Sequence, residues 1–166
     1  MSEQDQQDQQ DAQDEKGSLE REIVVQASPN VVFEVITSPE HLKEWWPDEA
    51  VLDPTPGAEG ELVFGDRSSP DAQIPKLTVV DAVPGRLFSF RWAYPEDEVA
   101  AAGNSLLVTF TLEAAGTGTL VRMVETGFRE NGWEVAVADA HHDDHAEGWD
   151  HFIPRLGEYV DRLAVA

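Results

Sequence analysis

Two groups of residues combine types and spacing suited to chemistry. The first is Glu125, which closes the alternating run Val121, Met123, Glu125. Residues two apart on a strand share a face, so two apolar neighbours direct this carboxylate inward. A carboxylate there is costly unless paired, hydrated or protonated. So placed, it can orient a ligand or act as a general acid or base. The competing reading has the strand leaving the core, with Glu125 wet or bound to an arginine. The second group is His141, His142 and His145, with Asp143 and Asp144 among them. Helical spacings of three and four allow two of these imidazoles to share a face and a metal ion. The same residues also make an ordinary solvated first turn of a helix, and no distant further ligand is identifiable. The chain has no Ser-His-Asp set, phosphate-cradling glycine loop or nucleotide fingerprint. Gly116-Thr117-Gly118 reads as a hairpin turn. No cofactor is expected, and the lack of a catalytic set favours binding over catalysis.

Composition narrows the classes of partner. There are 33 acidic residues against 11 basic ones, for a formal net charge of −22. Such a field repels phosphate backbones and anionic headgroups, which argues against nucleic-acid and membrane-surface roles. With no cysteine, disulfides and thiolate zinc sites are excluded. The N-terminus is acidic rather than apolar, so no secretory signal is read, and no apolar run is long enough to span a bilayer. A cytoplasmic protein, monomeric or homodimeric, is expected. Residues 1–18 are mostly Gln and Asp with little to bury, and read as a disordered acidic tail. Residues 19–166 suffice for one domain with its own core.

The elements that must position these residues follow from periodicity. Residues 20–27 read as a strand. Ser28-Pro29 and Ser38-Pro39 each open a short helix, serine as N-cap and proline at the first helical position. Segments near 49–53, 61–66, 74–82, 86–93, 105–114 and 118–126 read as strands separated by short turns, hence an antiparallel meander. Phe88, Phe90 and Trp92 alternate with Ser89 and Arg91, and Val108, Phe110 and Leu112 with two threonines, giving one apolar face. The 74–82 segment is apolar on both faces and has no assignable orientation. A helix from about 143 to 163 carries Trp149, Phe152, Ile153, Leu156, Val160 and Leu163 as one stripe, with Pro154 on its polar face as an expected kink. The expected fold is α+β: a curved antiparallel sheet of about six or seven strands around a long C-terminal helix, with two short helices after the first strand.

Several local motifs in this order resemble the START-like (SRPBCC) superfamily and its helix-grip, Bet v 1-like fold. They resemble most the family of Hsp90 ATPase activator homologues (AHSA1-like). The carrying segments are Ser28-Pro29 through Val35, Thr37-Ser38-Pro39-Glu40-His41-Leu42 through Trp45-Trp46, Pro84-Gly85-Arg86-Leu87 through Trp92, Thr119 through Glu125-Thr126-Gly127-Phe128, and Gly148-Trp149 through Leu156. The resemblance implies a cavity between sheet and final helix for a small hydrophobic or amphipathic ligand. Alternation and resemblance together nominate Trp46, Phe64, Phe88, Phe90, Trp92, Phe110, Met123, Glu125 and Trp149 for its wall. A solid core is the competing outcome for such aromatic stripes. Residues 66–74 and 129–147 depart from the family pattern and are expected at the pocket mouth. Two other roles belong to the same superfamily: catalysis resembling that of polyketide cyclases, with Glu125 or a histidine as acid/base, and an Hsp90 co-chaperone-like interaction through an outer surface.

Overall fold

A computed structural model describes residues 16–93 and 103–165. The elements are β1 (Ser18–Val25), α1 (Pro29–Thr37), α2 (Pro39–Trp45), β2 (Glu49–Val51), β3 (Glu59–Val63), β4 (Lys76–Val83), β5 (Leu87–Ala93), β6 (Ser105–Ala115), β7 (Gly118–Thr126) and α3 (Val135–Val165). The strands form one antiparallel sheet in the order β1-β7-β6-β5-β4-β3-β2. The meander therefore places β7 beside the first strand. Of the segment read as a tail, residues 1–15 lie outside the described residues. Lys16 reaches Asp143 of α3 at 3.0 Å, and Ser18 already opens β1 opposite Thr126.

Both short helices begin at their Ser-Pro pairs, with a difference in detail. Ser28 accepts from the Val31 N–H at 3.4 Å, whereas the Ser38 side chain makes no cap bond. Ser38 is also the C-terminal boundary of α1, and its backbone N–H donates to Glu34. One serine thus closes one helix and opens the next.

The apolar face lies as alternation predicts. Phe88 pairs with Phe110, Phe90 with Val108 and Trp92 with Leu106, all buried. The two-faced 74–82 segment is explained by an irregularity between Val79 and Asp81. Leu77 and Val79 face the core before it, and Ala82 comes opposite Phe88 after it, while Val80 is left outward. One extra residue resets the side-chain phase, and the serine hydroxyl of buried Ser89 accepts from the Asp81 N–H at 3.1 Å there.

The C-terminal helix is longer than its apolar stripe indicates. It begins at Val135, eight residues before the expected start. Its buried side continues upstream from Trp149 through His145 and the partly buried His142 to Ala138. Two histidines therefore occupy positions of the stripe, where an apolar pattern does not register them. The helix runs through the exposed Pro154 as one element, with Ile153, Leu156 and Val160 buried beneath.

Candidate functional site

The site is built where β5, β7 and α3 meet. Glu125 sits near the end of β7, between Leu19 of β1 and Val108 of β6, and is 0% exposed. The strand stays in the core at this point, so the inward reading holds. Three N–H groups account for the carboxylate. Trp92 donates its indole N–H to Oε2 at 2.8 Å, and Trp149 donates to Oε1 at 3.0 Å. His145 Nδ1 lies 3.0 and 2.9 Å from the two oxygens. Indoles can only donate, so both oxygens serve as acceptors. Hydrogen bonds to a buried carboxylate are short and roughly twice as strong as neutral ones, which offsets the cost of removing it from water.

The chain arranges this cluster by local means. Trp92 follows Phe88 and Phe90 on the inward face of β5, while His145 and Trp149 are four apart on α3 and share its buried side. Past Thr126, β7 leaves the sheet at Gly127, whose φ is +114°. A Cβ there would stand 3.0 Å from the Ser105 carbonyl and 3.2 Å from Leu106 Cα. Close backbone approach and positive φ both call for glycine. The turn delivers Phe128, fully buried, under the rings of His142 and His145 at 5.2 and 5.8 Å.

The three histidines go to different surroundings. His141 lies over Trp133 with ring centroids 4.6 Å apart, and its pKa is held below the usual imidazole value by burial and then by neighbouring His145. His142 has Nε2 at 3.0 Å from the Ser18 carbonyl. His145 turns to Glu125. Among the described residues no group of three or more His, Cys, Asp or Glu side chains is placed to hold a metal ion.

Beside the carboxylate cluster opens a cavity of about 300 Å³, at the small end of the range for ligand sites. Trp46, Phe64, Gln73, Pro75, Trp92, Asp144, His145, Gly148, Trp149 and Phe152 line it. Trp46 is central to its wall, with centroids 5.6 Å from Trp92, 5.1 Å from Trp149 and 6.1 Å from Phe64. Of the residues nominated from sequence, Trp46, Phe64, Trp92 and Trp149 line this space, and Glu125 lies behind it. Phe88, Phe90, Phe110 and Met123 face inward as expected but belong to the packed core, each at most 1% exposed. Phe33 of α1 meets Phe88 edge-on at 6.5 Å, Trp46 after α2 covers Phe90 at 5.8 Å and Trp149 of α3 meets Phe110 at 6.0 Å, so that part of the concave sheet is filled. Gln73, from the segment after β3, and Asp144 with His145 come from the two departures expected at the mouth. Pro75, Gly148 and Phe152 were missed as wall. Phe152 carried a signal in the apolar stripe, whereas a glycine carries none.

A curved antiparallel sheet gripping a long C-terminal helix around such a space defines the helix-grip fold of the START-like (SRPBCC) superfamily. Within it, the chain belongs to the family described as activator of Hsp90 ATPase homolog 1-like protein, which residues 26–161 match. No curated protein matches the chain. Among solved structures, protein MLL2253 from Mesorhizobium loti is 23% identical with a TM-score of 0.70, covering 87% of this chain and 97% of its own. The Aha1 dimer from Colwellia psychrerythraea is 19% identical with a TM-score of 0.64, covering 87% and 96%. DynU16, from the dynemicin biosynthetic locus, is 20% identical with a TM-score of 0.67, covering 87% of this chain and 47% of its own. At these identities the likeness is one of fold. Among the described residues no helix is long and apolar enough to cross a membrane.

Proposed function

We propose that this protein binds a small hydrophobic or amphipathic molecule in the cavity between the sheet and α3. The carrying observation is the aromatic wall of Trp46, Phe64, Trp92, Trp149 and Phe152 around an opening of about 300 Å³. Ligand sites are mostly apolar with a few placed polar groups, and here Gln73, Asp144 and His145 are those groups. The site is testable by native mass spectrometry and a thermal-shift screen of lipids and aromatic compounds. A ligand at 100 times its Kd adds about 2.7 kcal/mol of stability. An ideal Cβ at Gly148 meets nothing within 4 Å, so Gly148→Leu fills the cavity and should remove the shift without unfolding the protein. No retained mass and no shift across a broad library would defeat this reading.

A second reading, catalysis resembling that of the polyketide cyclases, is favoured by one arrangement. His145 borders the cavity with Glu125 directly behind Nδ1, and a carboxylate that orients an imidazole suits it to proton transfer. Glu125, enclosed on all sides, would then be the positioning residue and His145 the acid or base. The fold neighbour from a biosynthetic locus points the same way. Turnover of a bound polyketide-like substrate that survives His145→Asn would dispose of this assignment.

A further inference from the structure

Resting on the cavity reading above, we propose that the preferred ligand is an apolar organic cation, an alkyl- or arylammonium, rather than a neutral or anionic molecule. Aromatic faces carry negative quadrupolar charge and attract cations, most strongly where water is excluded. Here Trp46 lies 5.1 Å from Trp149 and 5.6 Å from Trp92, so three indoles form one continuous wall. Two of those indoles donate their N–H to the buried Glu125 carboxylate. Donation to an anion pushes electron density into the ring and deepens the negative potential of its face. The carboxylate itself, removed from water, acts through a medium of low effective dielectric.

The charge of the lining points the same way. Asp144 stands exposed at the mouth, and no Lys or Arg is among the described lining residues. His145 is the sole basic side chain among them, and its Nδ1 is directed at Glu125. With Asp144 the one carboxylate of the lining and a chain of net charge −22, the field at the mouth concentrates ligands of positive charge. An anionic ligand would meet Asp144 at the mouth, with the imidazole of His145 already turned to Glu125 and no Lys or Arg in the lining to answer it. A neutral ligand would use the rings but none of this electrostatic bias.

The test is a matched set measured by calorimetry on the whole protein at low salt: (1-naphthylmethyl)trimethylammonium, its neutral isostere with carbon in place of nitrogen, and 1-naphthylacetate. The cation should bind about tenfold more tightly than the neutral isostere, with the anion weakest. Asp144→Asn should weaken the cation about threefold and leave the isostere unchanged. Gly148→Leu should abolish binding of both. Equal or tighter binding of the isostere or the anion overturns the inference and leaves the cavity reading intact. Cation binding that persists in Gly148→Leu assigns the attraction to the acidic surface and likewise overturns it. No binding by any of the three overturns the inference together with the cavity reading.

Discussion

At the scale of single residues, Glu125 carries the most consequence. Its two oxygens take hydrogen bonds from Trp92, Trp149 and His145 in a site closed to water. Glu125→Gln keeps the shape but replaces one acceptor oxygen by an NH2 group. At least one indole N–H then faces a donor, and an unsatisfied buried polar group costs about 1–3 kcal/mol. The expected outcome is a loss of that size in urea unfolding, with native packing kept in near-ultraviolet circular dichroism. A variant as stable as wild type would mean that the carboxylate is not the hub of the cluster. The inward placement of Glu125 was legible from Val121 and Met123 two and four residues before it. Its partners were not, because hydrogen bonds joining residues 92, 125, 145 and 149 depend on the register of β5 with β6 and of β6 with β7, and on the rotation of α3. The histidines illustrate the same limit: their spacing suggested a shared metal, but His145 and His142 lie inside the buried stripe and His141 against Trp133.

At the scale of elements, α3 contains two glycines whose roles are opposite. Gly148 borders open space, while a Cβ at Gly157 would come 2.5 Å from Ile23 Cδ1 of β1. Gly in a helix interior is destabilising by roughly 0.5–1 kcal/mol relative to Ala. Gly148→Ala should therefore raise stability by about that amount. Gly157→Ala should leave it at or below wild type, because Ile23 must rotate away from the helix it covers. Denaturant midpoints of the two variants decide the matter; equal gains would show that α3 does not press on β1 at Gly157. The order and type of every element, including the meander and its inward face, could be read from period-two alternation and the Ser-Pro starts. Two things could not. The start of α3 at Val135 is hidden because its buried side begins with alanine and histidines rather than large apolar residues. The phase change in β4 is hidden because a bulge of one residue makes an inward pattern look two-faced.

At the scale of the whole molecule, charge sets the largest unbalanced term. Acidic residues outnumber basic ones 33 to 11. Several of the arginines are already paired, as in Arg21 with Asp150, Arg67 with Glu61 and Arg122 with Glu20 and Glu22. These pairs have exposed partners and are worth little individually. The excess carboxylates repel one another, which opposes the compact state. Salt screens both effects, but the repulsion is summed over many more groups and a longer range. The Debye length falls from about 30 Å at 0.01 M to about 8 Å at 0.15 M, crossing the dimensions of the domain. The urea midpoint should therefore rise with NaCl, with most of the gain below about 0.2 M and a plateau beyond it. A steady climb into molar salt would instead mark the exclusion of salt from the surface. A fall in midpoint would mean that the arginine pairs, and not the acidic excess, dominate the electrostatics of the fold. The same screening should weaken any cation held at Asp144, so the salt range that stabilises the container is the one that loosens its proposed cargo.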